Sequence, residues 1–123
     1  MTSALDGLVA TVDAALRAGG GEAAMCDAMT PAMARLLADA DPLPPSAYES
    51  FDGQAVGNLL HAAPAGRFHV LAVVFPEGTS SGVHHHGCWG LIGYLRGGDE
   101  ETRYRPVSDD GTSAVVEEVS RHV

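Results

Sequence analysis

At 123 residues, with 46% of them hydrophobic, the chain has the length and texture of one soluble globular domain built on a single core. Its 16 acids against 7 Lys plus Arg give a formal charge of -9, a field that repels phosphate backbones and anionic lipid, and no basic cluster breaks it, which argues against nucleic-acid binding. No apolar stretch approaches the roughly 20 residues that span a bilayer, and Met1 opens a polar amphipathic segment without the features of a signal peptide, so no membrane role and a cytoplasmic location are expected.

Leu5, Leu8, Val9, Val12 and Leu16 recur at helical spacing behind a Ser3 cap with Asp6 three residues later, and Gly19-Gly20-Gly21 stops the run. A second helix is expected over residues 22–40, with a break or kink at Thr30-Pro31, where a new cap precedes a proline. Met25, Met29, Met33, Leu36 and Leu37 then share a face, read as soft core filling rather than a cofactor surface. The two cysteines, Cys26 and Cys88, are too few and too scattered for a disulfide framework or a thiolate zinc site, so reduced thiols are expected.

Pro42, Pro44 and Pro45 end the helical part. After them come short Val-, Leu- and aromatic-rich runs punctuated by glycine and proline, the texture of β structure. Strands are expected at residues 58–62, 68–75, 81–86, 89–95, 101–105 and 113–119. Turns fall at Ala63-Pro64-Ala65-Gly66, Pro76-Glu77-Gly78, Gly97-Gly98 and Asp109-Asp110-Gly111. Closely spaced strands with short turns suggest an antiparallel sandwich or barrel.

The stretch GTSSGVHHHGCWG places three histidines in a row. On a strand, His84 and His86 share one face while His85 points away. Two neutral imidazoles on one face suit iron, nickel, copper or zinc. A polar surface turn is the plainer reading of the same residues. A tag remnant does not fit, because Val83 and Cys88-Trp89 flank the run instead of a linker.

The block NLLHAAPAGRFHVLAVVFPEGTSSGVHHHGCWGLIGYLRGGDEETRYR, residues 58–104, resembles the first conserved block of the thiol dioxygenases of the cupin superfamily: cysteine dioxygenase and, more closely, 3-mercaptopropionate dioxygenase. The resemblance is carried by the turn at Pro76 and Gly78, the pair His84 and His86, the step Trp89-Gly90, and the strand end Leu95-Arg96-Gly97. It departs in two places: His85 stands where the family often has Asp, and Gly90 and Leu91 stand where other cupins place a glutamate ligand. The second departure agrees with the thiol dioxygenases, whose iron is held by three histidines and no carboxylate.

The resemblance implies a mainly β fold: a cupin double-stranded β-helix, or jelly-roll barrel, incomplete at the C-terminus and preceded by N-terminal α-helices. Residues 1–45 would be a helical segment packing on a barrel portion, residues 46–123, in one structural domain. It further implies iron(II) at His84 and His86, with a small thiol and dioxygen as partners and a sulfinic acid as product. Three neutral imidazoles leave the full charge on the ion to attract a thiolate, and proximity on one ion would carry much of the catalysis. A substrate carboxylate would need a cation, for which Arg67, Arg96 and Arg103 are the candidates. Gly57 stands where cysteine dioxygenase carries its substrate-binding arginine, which weakens cysteine as substrate, and Cys88 is not at the position of that enzyme's crosslinked cysteine. Trp89 is expected to pack beside the metal pocket, and His61 and His69 to be ordinary strand histidines. No residue is assigned to catalysis beyond the ligands.

The family's third histidine lies on a later strand, and His122 reads as an ordinary strand residue. The expectation is therefore a C-terminally truncated dioxygenase that binds ferrous iron weakly and turns over poorly. The alternatives are a noncatalytic metal- or ligand-binding cupin, an inactive fragment of the dioxygenase, and, most distantly, a cupin isomerase.

Overall fold

The computed structural model describes residues 3–84, 86–109, 111 and 114–122, with the side chains of Asp109, Ala114 and His122 excepted. Two compact units divide the chain, Met1–Gly93 and Tyr94–Val123.

In the first unit, helix α1 spans Ala4–Ala18 and α2 spans Glu22–Ala38. The Ser3 hydroxyl accepts the Asp6 N–H at 3.1 Å, and Gly19, with φ of 69°, closes the helix through a bond from its N–H to the Ala15 carbonyl. Both ends are thus where the cap and the glycine run place them. The break expected at Thr30-Pro31 does not occur, since one helix runs through Pro31. Instead of capping a new helix, the Thr30 hydroxyl donates back to the Cys26 carbonyl at 2.7 Å. A proline in a helix interior costs about 3 kcal/mol, and the burial of Met29, Ala32 and Leu36 along the same helix offsets it. Leu8, Ala32 and Leu36 form the centre of the core, with Leu5, Val12, Met33 and Leu37 packed around them. The methionine-rich face is core filling, as expected.

A 3-10 turn at Pro45–Tyr48 leads to strand β1, Val56–Ala62, which pairs antiparallel with β2, His69–Val74. Asn58 ties the turn to the strand: its Nδ2 donates to the carbonyls of Ala47 at 3.1 Å and Glu49 at 3.0 Å. The connection between β1 and β2 is a second 3-10 turn, Pro64–Gly66, in which Ala65 takes a φ of 59°. Val56, Asn58, Ala72 and Val74 lie on the half-buried face, and Val70 joins the helical core. Leu59, Leu71, Val73 and Phe75 point outward and are exposed.

The register slips once. Leu59 faces Leu71, but His61 faces Val70, so Leu60 is an extra residue in β1. Simple alternation would put His61 on the outer face with Leu59; the bulge turns it to the half-buried side, beside Val70.

The second unit contains strands β3, Glu101–Asp109, and β4, Ala114–His122, paired antiparallel over their length. Arg105 faces Glu117 in the ladder and bonds to it at 2.8 Å. Register shifts at Val107 in β3 and Val119 in β4, together with Pro106, interrupt both free edges, which is how sheets avoid unwanted pairing.

The expectation of a mainly β barrel is met only in its parts. Antiparallel strands follow N-terminal helices, but they form two two-stranded sheets, and no closed barrel is found among the described residues. Among the described residues, the strands expected at residues 81–86 and 89–95 are not formed. A strand exists only where a neighbour completes its hydrogen bonds, and five glycines at 78, 82, 87, 90 and 93 raise the entropy lost in extending this stretch. Among the described residues no helix is long and apolar enough to cross a membrane.

Candidate metal centre

The histidine-bearing segment leaves β2 through a turn in which the Thr79 N–H donates to the Pro76 carbonyl at 3.1 Å and the Thr79 hydroxyl reaches the same oxygen at 2.6 Å. Gly78 has a φ of 80°, a backbone angle that favours glycine, as the sequence requires of this turn. A second bend follows at Gly82, with a φ of 71°, whose N–H donates to the Ser80 hydroxyl at 3.2 Å while its carbonyl accepts from Ser81 Oγ at 3.1 Å. This bend, and not a strand, aims the histidines.

The two rings converge. Nε2 of His84 lies 3.2 Å from Nε2 of His86, with ring centroids 5.1 Å apart and the planes inclined by 46°. Nδ1 of His84 lies 3.0 Å from the Gly82 carbonyl. A carbonyl only accepts, so Nδ1 of a neutral His84 carries the proton and its Nε2 offers a lone pair. That arrangement, one ring nitrogen held by a backbone carbonyl and the other bare, is the one metal-bound histidines show.

The spacing is informative. Metal–imidazole bonds of about 2.0–2.1 Å place two adjacent ligand nitrogens about 2.9 Å apart at a right angle and about 3.4 Å apart at the tetrahedral angle; the observed 3.2 Å falls between. Without a metal, the same distance is satisfied by His86 donating its Nε2–H to the bare nitrogen of His84. A proton and a divalent cation are therefore alternative occupants of one position. Both side chains are exposed, and among the described residues no third His, Cys, Asp or Glu completes a cluster with them. His85, expected to face away, lies outside the described residues, as does the side chain of His122.

None of the other residues singled out by sequence bonds to the histidine pair among the described contacts. Cys88 is exposed and Cys26 half-buried, both as free thiols, and Trp89 is half-buried. His61 packs its ring on Phe68 at 5.5 Å, and His69 is exposed at the start of β2. Arg67 is engaged by Asp13 at 2.7 Å and Arg103 by Glu101 at 2.7 Å; Arg96 and Arg103 belong to the second unit. Sequence reasoning missed the Gly82 carbonyl, because a backbone acceptor has no side-chain signature; a glycine two residues before a histidine is the only trace it leaves. The chain matches no protein-family model and no solved structure.

Proposed function

We propose that the chain is a cytoplasmic non-haem iron(II) thiol dioxygenase of the cupin type, with His84 and His86 as two ligands of the iron. The observation that carries the reading is the 3.2 Å convergence of the two Nε2 atoms, one of them freed of its proton by Gly82. It adds geometry to the resemblance that runs from Asn58 to Tyr104. The donor set fits: borderline imidazole nitrogens suit a divalent first-row ion, and the spacing is that of adjacent ligands. When bound, iron supplies the redox chemistry by which both atoms of dioxygen add to the sulfur of a small thiol such as 3-mercaptopropionate or cysteine. The chain's own part is to hold the ion and to fix the His84 tautomer through Gly82. The β1–β2 sheet supports the barrel reading, since Val70 on its inner face joins the helical core while its outer face exposes Leu59, Leu71, Val73 and Phe75, the two-sided apolar character of a strand inside a layered fold.

A second reading, a noncatalytic metal-binding cupin, is favoured by the exposure of the pair and by its having only two ligands among the described residues. One experiment separates the two. Iron(II) is titrated anaerobically into the metal-free chain, and oxygen uptake is then followed with 3-mercaptopropionate and with cysteine. The dioxygenase reading expects iron to bind, and thiol-dependent uptake above that of the same iron in buffer, with a sulfinate product, all lost in His84→Ala and His86→Ala. Iron retained without uptake supports the binding protein, and no iron bound by the wild-type chain overturns both.

A further inference from the structure

One face of α1 carries Asp6, Val9, Ala10, Asp13 and Arg17, and it borders a groove of about 920 Å³ whose other wall is the end of β1 and the connection to β2, including His61, Arg67 and Phe68. Val9, Ala10, Leu60 and Phe68 supply an apolar floor between its polar groups. The β1 bulge aims His61 toward this side of the sheet, where its ring meets Phe68. Bulges recur beside binding sites because they redirect a side chain in this way.

The polar end of the groove has an unusual charge ratio for this chain. Elsewhere acids outnumber their partners: Arg121 alone meets both Glu118 and Glu100. Here the ratio is inverted. Arg17 Nε donates to one oxygen of Asp13 at 2.8 Å and Arg67 Nη1 to the other at 2.7 Å, so two of the chain's 7 cations share one carboxylate. A guanidinium has five N–H donors, and each of these gives one to Asp13. The remaining donors of two forks, pre-oriented by a shared anion, are suited to a second anion in bidentate fashion. Asp6, the other acid of the groove, lies two helical turns away, about 10 Å along the axis, so it leaves the cationic end intact and opposes a second negative charge at the far end of a ligand.

We propose that this groove is a binding site for a small monocarboxylate with an aromatic body, its carboxylate on Arg17 and Arg67 and its ring against Phe68, His61 and the Val9–Ala10 floor. The site contains neither His84 nor His86 and needs no metal. Its success or failure is therefore independent of the iron-centred reading.

The test is an NMR titration of the metal-free full chain with 3-phenylpropionate and with 3-phenylpropan-1-ol, an uncharged compound of similar shape. The acid is expected to bind about tenfold or more tightly than the alcohol, with shifts centred on Val9, His61 and Phe68. Arg17→Met, at a side chain 68% exposed, is expected to weaken the acid by about tenfold and leave the alcohol unchanged. Ala10→Trp, which fills the floor from an exposed position, is expected to abolish both. Equal affinities of acid and alcohol for the wild-type chain, shifts centred outside the groove, or undiminished acid binding by Arg17→Met would overturn the proposal.

Discussion

Asp13 and Arg67, 54 residues apart in sequence, are joined by a 2.7 Å ion pair that ties α1 to the turn between β1 and β2. Hydrogen bonds from Arg17, and then from Arg67, hold the Asp13 carboxyl below its ordinary value of 3.8. A carboxyl whose folded-state pKa is depressed contributes stability above its unfolded value and loses it as the pH falls through the folded one. The contribution of Asp13 is therefore present at neutral pH and disappears in acid below pH 3.8. Urea midpoints of the wild-type chain and Asp13→Asn should differ at about pH 5.5 and draw together at about pH 2.5. A gap of the same size at both pH values would show that the carboxylate charge plays no part in the tie.

The His84 tautomer is a second consequence of the geometry. With Gly82 accepting from Nδ1, nitrogen-15 spectra of the metal-free chain at alkaline pH should show His84 protonated at Nδ1 and bare at Nε2. Zinc, used as a diamagnetic probe, should then perturb Nε2 of both His84 and His86. Gly82→Ala forces an alanine to a φ of 71°, a strained angle for any side chain with a Cβ. Displacing that carbonyl should weaken metal binding by about 10- to 100-fold, the range for loss of such supporting contacts. A His84 protonated at Nε2, or zinc bound equally well by Gly82→Ala, would remove the carbonyl from the site.

These two contacts show where the sequence is legible and where it is not. The ends of α1 are written in Ser3 and Gly19, and the Asp13–Arg17 pair in its i, i+4 spacing. The positions of the four strands were readable from the turns that separate them, and in β1 and β2 also from the alternation of half-buried and exposed residues that a hairpin with one covered face repeats every second position. The partnership of Asp13 with Arg67 is set by packing across 54 residues and leaves no local signal. The bulges at Leu60, Val107 and Val119 are equally hidden, since one extra residue changes which face a side chain takes without changing the composition of the run. Residues 81–86 and 89–95 mislead for a related reason. Their texture suits a strand, but strand formation depends on a pairing neighbour that the run itself does not specify. The convergence of His84 and His86 arises even so, through the bend at Gly82 instead of through strand alternation.

Gly93 tests the packing of the loop against α2. A Cβ built there would lie 2.9 Å from Met33 Sδ and 3.0 Å from Leu37 Cδ1, closer than side chains tolerate. Both atoms belong to flexible side chains that can shift, so Gly93→Ala should cost about 1 kcal/mol and Gly93→Val about 2–3 kcal/mol by urea unfolding. Removing the obstacle should recover part of this loss: Gly93→Ala combined with Met33→Ala should be less destabilising than the sum of the single changes. Strict additivity of the two would place Gly93 away from Met33.

Asn58 gives the sharpest stability test, because its two near neighbours demand a donor. Its Nδ2 serves the carbonyls of Ala47 and Glu49 at once, closing the 3-10 turn onto β1 and leaving no room for an acceptor there. Asn58→Ala removes both bonds and leaves the two carbonyls without their donor, a loss of about 1–2 kcal/mol. Asn58→Asp keeps the shape and inverts the chemistry, setting a carboxylate against two carbonyl oxygens. It should therefore be more destabilising than alanine at neutral pH even though aspartate is nearly isosteric with asparagine. Lowering the pH protonates the carboxyl and restores one donor, so the aspartate variant should gain on the alanine variant in acid. An Asn58→Asp chain as stable as the wild type at pH 7 would mean that shape alone, and not the paired donation to Ala47 and Glu49, holds the turn in place.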